Sequence, residues 1–174
     1  MTDALGYRVE PLSASHDRAN FHSGVPELDR YLHRQAGQDA RRKVAAPFVL
    51  IDCDGSVLGY YTLSAYSVHL TELTEALARK LPRYPFLPAT LLGRLAIASS
   101  CRRQKLGRFL LMDALYRSWK NTSEVASLGV VVEALDENAR AFYLHHEFQS
   151  LANHPDKLFL AMASIQKAFQ ARGV

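Results

Sequence analysis

No apolar run in this chain approaches the roughly 18 residues that a membrane-spanning helix requires. The opening stretch, MTDALGYRVEP, lacks the basic-then-apolar order of a secretory leader, so the chain is expected to stay in the cytoplasm. Only two cysteines are present, Cys53 and Cys101, far apart and without ligand spacing. That argues against a disulfide framework or a zinc site and predicts reduced, buried thiols. His22, His33, His69 and His154 form no ligand spacing, and the adjacent His145 and His146 do not face one site on a helix. No metal is expected. Repeats, low-complexity tracts and flexible linkers are absent as well. The most telling absence is of negative charge: no Asp or Glu occurs from Ala76 to Met112.

That window holds Arg79, Lys80, Arg83, Arg94, Arg102, Arg103, Lys105 and Arg108. A second basic group, Arg30, Arg34, Arg41, Arg42 and Lys43, follows Pro26. Net charge is only +4, so the clustering matters more than the total. Such clustering suits a polyanion through phosphate contacts and counterion release. A solvated helix face beside one cofactor diphosphate would produce the same pattern. The chain is 48% hydrophobic and 22% charged over 174 residues, which fits one globular domain, 1–174, with a core of useful size.

Periodicity and turn signals lay out the elements. Tyr7–Glu10 reads as a short strand. Pro26 to about Lys43 reads as a helix with Leu28, Leu32 and Ala36 at helical spacing. Phe48–Asp52 and Val57–Ser67 read as strands joined by Asp54-Gly55. Thr71–Lys80 reads as a helix capped by Thr71. Pro82, Pro85 and Pro88 force an extended segment. Thr90–Ile97 and Ser127–Ala134 read as strands, Ala139–Glu147 as a helix and Lys157–Ser164 as a last strand. Strands with helices between them predict an α/β (α+β) domain.

The stretch LLGRLAIASSCRRQKLGRFLL, Leu91 to Leu111, is an apolar strand, a basic loop, a glycine and an apolar helix. That order aims backbone N–H groups at the positive end of a helix dipole and suits a pyrophosphate. It resembles the acetyl-coenzyme A loop of the GNAT acetyltransferases, whose pattern is Gln or Arg, two residues, Gly, one residue, then Gly or Ala. Arg102 takes the first position, Lys105 the first glycine and Gly107 the second. Lys105 is expected to serve with its N–H if its φ is negative.

Val130–Phe148, VVVEALDENARAFYLHHEF, is similar to the family's strand and following helix, with Asn138 near the helix start and Tyr143 about a turn on. The family ends this helix with His-Gly-Phe. Here it is His146, Glu147, Phe148, so the left-handed helix stop loses its glycine. FHSGVPELDRYL from Phe21, with PFVLIDCDGSVLGYYTLSAYSV and YPFLPATLLGRLAI, resembles the GNAT toxins of bacterial toxin–antitoxin pairs. Those enzymes acetylate the amino acid on charged tRNA and stop translation. The resemblance covers about residues 7 to 165.

It implies the GNAT acyl-CoA N-acyltransferase fold, a twisted, mixed but mostly antiparallel sheet flanked by helices. The sheet splays between the Thr90 and Ser127 strands, with the pantetheine arm in the gap. It implies acetyl-CoA binding by Leu95, Ala96 and Ile97 through backbone N–H groups, by Arg102, Arg103, Gln104, Lys105, Leu106, Gly107 and Arg108 in the loop, and by Asn138. Tyr143 is implied as the general acid for the leaving thiolate, because an ordinary tyrosine, pKa about 10, is protonated at neutral pH. Candidate tRNA contacts are Lys43, Arg79, Lys80, Arg83 and Arg94. Arg94 lies in an apolar strand and is expected either to be paired or to reach the cleft. An α-amine of pKa near 8 makes a general base optional. Glu133 could act as one through water, or simply face solvent or be ion-paired. The family also implies a cognate antitoxin, commonly a ribbon–helix–helix DNA-binding protein, and a homodimer.

Two other readings stay open. The chain could acetylate a small-molecule amine or a protein N-terminus. It could also be a degenerate fold member that only binds CoA or nucleic acid, for which Lys105 is the sequence support.

Overall fold

The computed structural model describes residues 6–174; Met1–Leu5, where the leader reading begins, lie outside the described residues. Among the described residues hydrogen bonding orders seven strands, in spatial order Arg8–Pro11, Ala46–Ile51, Val57–His69, Phe86–Ile97, Gly129–Glu133, His154–Ala161 and Gln149–Leu151. The chain divides into two compact units, one made by the residues through Ser64 with Gly93–Ala114, the other by Ala65–Leu92 with Leu115–Val174.

In the first unit, β1 (Arg8–Pro11) pairs antiparallel with β2 (Ala46–Ile51). β2 pairs antiparallel with the start of β3 (Val57–His69). The predicted turn closes this hairpin: Asp52 Oδ1 accepts the N–H groups of Asp54 at 3.0 Å and Ser56 at 2.8 Å, and Gly55 takes φ +83°. Cys53 stands in that turn and is exposed, which corrects the expectation of two buried thiols; only Cys101 is buried. A hairpin tip has no core to offer its side chains.

The helix expected over Pro26 to Lys43 forms as α1 (Pro26–Arg30), a π-helical turn (Tyr31–Gln35) and α2 (Ala36–Arg42). A π turn inserts one extra residue. Tyr31, Leu32 and Ala36 are all buried, whereas Leu28 stays half-buried. Lys43 stops the helix at φ +61°. β4 (Phe86–Ile97) ends in this unit. A 3₁₀ turn (Ser99–Cys101) and α4 (Leu106–Asn121) follow. Gly59 lets these elements close up, since a Cβ there would meet the Ala96 carbonyl, Ile97 Cδ1 and Leu110 Cδ1 at 2.8 Å each. Beside it, the buried Tyr61 hydroxyl donates to Asp113 Oδ2 on α4 at 2.6 Å.

In the second unit the predicted Thr71–Lys80 helix is corrected to a 3₁₀ turn (Leu70–Glu72) and a short α3 (Glu75–Ala78), broken at Leu73. Leu73 is extended so that it can be buried with Val68, Leu87, Val131 and Phe159. His69 rather than Thr71 caps the turn: its side chain accepts the Thr71 N–H, and Glu72 accepts the His69 N–H. β4 begins at Phe86, so it includes Pro88, whose carbonyl accepts the Leu128 N–H at 2.9 Å.

β4 pairs parallel with β5 (Gly129–Glu133) over three positions only, Thr90↔Val130 to Leu92↔Val132. That register stops five residues short of the end of β4. α5 (Glu137–His145) starts two residues earlier than predicted because Asp136 is its cap, accepting the Ala139 N–H at 2.8 Å. β6 (Gln149–Leu151) and β7 (His154–Ala161) form an unpredicted hairpin. The strand expected to run to Ser164 stops at Ala161, where α6 (Met162–Gln170) begins. α6 buries Met162, Ile165 and Phe169, and Phe169 stacks on Trp119 with centroids 5.9 Å apart.

Candidate active site

The loop between β4 and α4 is shaped by two left-handed residues, Arg103 (φ +70°) and Lys105 (φ +59°), on either side of Gln104. Left-handed residues in a turn can leave successive N–H groups open to an anion. The N–H groups of Arg103, Gln104 and Lys105 make no hydrogen bond among the described residues. The first turn of α4 adds those of Leu106, Gly107 and Arg108, which have no intrahelical acceptor. The first helical bond closes from Phe109 N–H to the Lys105 carbonyl at 3.2 Å.

Lys105 is left-handed, so the negative φ on which its expected N–H role depends is not met, yet that N–H is left open in the conformation a glycine adopts freely. Left-handed backbone costs a non-glycine residue about 1 kcal/mol or more. The N–H geometry of the loop survives the substitution, and the degenerate-fold reading loses its support. Arg103, Lys105 and Arg108 are exposed and have no carboxylate partner among the described residues. The helix dipole and these three exposed cations together favour an anion at the start of α4.

Arg102 has a different task. Its Nη2 donates to the Ser23 carbonyl at 2.9 Å, over Gly24 at φ +88°. Ser23 in turn gives its N–H and hydroxyl to Asp29 Oδ1 at 2.8 and 2.6 Å. The loop is also tied by Ser99 N–H to the His22 carbonyl at 2.8 Å. Ser23, Gly24 and Asp29 lie in the FHSGVPELDRYL stretch that carries the family resemblance, but their part in holding the loop is not legible there, because the Arg102–Ser23 bond spans 79 positions of chain.

Leu95, Ala96 and Ile97 are the last residues of β4, and Ala98 N–H is taken by the Leu58 carbonyl at 2.8 Å. Arg94 has no hydrogen bond or ion pair among the described residues. Its guanidinium lies 3.6 Å from the centre of the Tyr31 ring. The expected pairing is a cation–π contact, worth about 1 kcal/mol or more when half-buried. Tyr31 also donates to Asp39 Oδ2 at 2.9 Å. Burial first, then that bond, push the Tyr31 hydroxyl up to about 12.

A cleft of about 510 Å³ lies beside the loop, lined by Asp17, His22, Asp54, Ser56, Ser99 and Ser100 among others. It contains none of the expected cofactor residues. Its two carboxylates and lack of Arg or Lys make it a poor phosphate site.

In the second unit, Tyr143 sits on α5 and is 6% exposed. Its ring packs edge-on against Phe142 at 5.3 Å and Phe148 at 5.4 Å. The helix ends in a Schellman motif. Phe148 N–H reaches back to the Tyr143 carbonyl at 3.1 Å and Glu147 N–H to the Leu144 carbonyl at 3.1 Å, with Glu147 at φ +70°. The left-handed stop is kept without its glycine. The same motif fixes Tyr143, as residue C3, through both carbonyl and ring. Its hydroxyl has no hydrogen-bond partner among the described residues. Burial holds it well above the ordinary tyrosine range, so it stays protonated at neutral pH.

Asn138 is exposed in the first turn of α5, with no partner among the described residues. Glu133 is exposed opposite Lys157 across the β5–β7 ladder. Lys157 is held charged by a hydrogen bond from its ammonium to Tyr66, with Glu72 and Glu133 nearby. Of the candidate tRNA contacts, Lys43, Lys80 and Arg83 are exposed and unpaired among the described residues, whereas Arg79 is paired with Glu75 at 2.7 Å. No group of three or more His, Cys, Asp or Glu among the described residues could hold a metal, and no described helix is long and apolar enough to cross a membrane.

No family model matches the chain. A curated protein of Mycobacterium tuberculosis, described as a tRNA-acetylating toxin, is 33% identical over 151 residues, covering 87% of this chain and 89% of that one. Among solved structures, AtaT complexed with acetyl-methionyl-tRNAfMet is 30% identical, with a TM-score of 0.87 over 94% of this chain and 99% of that one. A tyrosine-to-phenylalanine mutant of AtaT, bound to the C-terminus of the antitoxin AtaR and acetyl-CoA, is 28% identical. It has a TM-score of 0.79 over 94% of this chain and 98% of that one.

Proposed function

This chain belongs to the GNAT-type tRNA-acetylating toxins, and we propose that it transfers the acetyl group of acetyl-CoA to the α-amine of the amino acid on charged tRNA. The observation that carries the reading is the loop of unpaired N–H groups and uncompensated cations at the start of α4, which is built for a diphosphate. Arg103, Gln104, Lys105, Leu106, Gly107 and Arg108 hold the diphosphate. Arg102 positions the loop by its bond to Ser23. Leu95 and Ile97 polarise the thioester carbonyl through N–H groups on the edge of β4 opposite to that of Ala98, whereas the Ala96 N–H shares the Ala98 edge, which faces β3. Asn138 completes the cofactor contacts.

In the transfer, the neutral amine attacks the thioester carbon. A C–N bond forms and the C–S bond breaks. The thiolate takes the Tyr143 proton, the ammonium proton passes to water, and the tyrosinate regains a proton from water once the products leave. No base is required, because an aminoacyl ester keeps its α-amine largely neutral near pH 8. Lys43, Lys80, Arg83 and Arg94 contact the RNA, together with Arg79 once its exposed pair with Glu75 is given up. Such pairs are worth under about 1 kcal/mol.

We further propose that residues 1–174 act as one acetyltransferase domain, since β3, β4 and α4 each run from one unit into the other. The protein works in the cytoplasm, as a homodimer, and is neutralised by an antitoxin of the AtaR kind. Acetyl transfer to charged tRNA and to a free amino acid, followed at increasing salt, tests the reading. Steep loss for tRNA alone is expected. Transfer to the free amine only, with no salt dependence, would assign the protein to small-molecule acetylation.

A further inference from the structure

Among the described residues seven large apolar side chains are exposed, and two of them, Tyr84 at 63% and Phe86 at 64%, stand in one three-residue stretch. That stretch closes the segment Glu75–Phe86, whose two faces differ. Leu77, Ala78 and Leu81 pack on the core built around Leu73 and Leu87. Arg79, Lys80, Arg83, Tyr84 and Phe86 are exposed. The platform is rigid: Pro82 and Pro85 fix the backbone, and the Pro85 carbonyl accepts the Leu70 N–H at 3.0 Å. Phe86 is braced by His69, centroids 5.2 Å apart at 88°, and His69 is held by Thr71. Tyr84 makes no hydrogen bond or ring contact among the described residues.

Two preorganised, solvent-facing rings interleaved with cations, in a stretch free of carboxylates after Glu75, are the recognition chemistry of unpaired nucleotides. A duplex is gripped by its phosphates and hides its base faces, so exposed rings add little to it. We propose that Tyr84 and Phe86 form a stacking platform for unpaired bases of the RNA substrate, with Lys80 and Arg83 holding the phosphates on either side. This rests on the charged-tRNA reading above and adds that the protein selects single-stranded RNA at this face.

The test measures binding of the full-length protein to a labelled single-stranded oligoribonucleotide ending in CCA and to an RNA duplex of equal length. Wild type is compared with Tyr84→Ala, Phe86→Ala and the tryptophan replacements at both sites. Each alanine should weaken single-strand binding roughly 5- to 150-fold, leave the salt slope unchanged and spare duplex binding; tryptophan should restore affinity. Lys80→Ala should instead lower the salt slope by about 0.7 for one lost single-strand phosphate contact. Melting temperature and acetyl-CoA affinity should not move, because both rings are exposed.

Wild-type single-strand affinity in both alanine variants, from a protein that still acetylates charged tRNA, would overturn the proposal alone. So would conversion from dimer to monomer at unchanged RNA affinity, which would make the rings a contact for a second copy. A wild-type protein that neither binds nor acetylates tRNA would remove the underlying reading as well.

Discussion

Replacing Tyr143 with phenylalanine removes one oxygen and little else. The ring stays against Phe142 and Phe148, and the Schellman bond from Phe148 N–H uses the backbone carbonyl. The hydroxyl makes no hydrogen bond among the described residues, so no partner is orphaned and stability should change by under about 1 kcal/mol. For a chain of this size that is a melting shift within about 4 °C. The catalytic cost should be far larger. A positioned general acid contributes about 10²- to 10⁴-fold, or roughly 3 to 5 kcal/mol of barrier at about 1.4 kcal/mol per decade. Single-turnover transfer from labelled acetyl-CoA to charged tRNA measures it, with calorimetric acetyl-CoA binding and a melt as controls. The account expects kcat to fall by at least about a hundredfold with cofactor affinity and melting retained. Transfer within about threefold of wild type, from a folded variant that binds cofactor, would refute the role of Tyr143.

Other expectations follow from the backbone and from burial. Glu147→Gly, at φ +70°, should stabilise by about 1 kcal/mol and raise the melting temperature by about 2–4 °C; unchanged or lower melting would mean that the left-handed stop costs nothing. Gly59→Ala should destabilise by about 1–3 kcal/mol and weaken acetyl-CoA binding in titrations, because its Cβ pushes on the Ala96 carbonyl. Tyr61→Phe leaves the buried Asp113 one donor short and should cost about 2 kcal/mol in denaturant melts. Tyr31, Tyr60 and Tyr143 all titrate higher folded than unfolded, burial being the main cause. Below pH about 10 they are protonated in both states and nothing changes. Above it the unfolded chain releases protons that the folded chain keeps, so stability should fall by about 1.4 kcal/mol per pH unit for each. For Tyr31 that loss ends near its folded value of about 12. Denaturant midpoints that stay level from pH 9 to 11 would contradict this.

The parts legible in the sequence were those written locally. The strand–loop–helix from Leu91 to Leu111, the Asp54-Gly55 hairpin and the strand before Tyr143 depend on neighbours a few positions away. What escaped was decided by distant contacts. Leu73 breaks a plausible helix because the core around Val131 and Phe159 demands an extended residue there. The helix from Met162 had its i, i+3, i+7 stripe of Met162, Ile165 and Phe169 but no capping residue, Ala161 standing at its N-cap. Asn153, left-handed at φ +65°, was the one signal for the β6–β7 hairpin. Lys105 and Glu147 show the converse, a left-handed conformation without the glycine that would announce it, framed at Glu147 by the Schellman hydrogen bonds.

The most direct test of the central claim incubates the purified chain with labelled acetyl-CoA and total charged tRNA, beside uncharged tRNA and free amino acids. The account predicts label on charged tRNA alone, bound through an amide to the amino acid and released with it by mild base. Label on free amino acids but not on charged tRNA would contradict it.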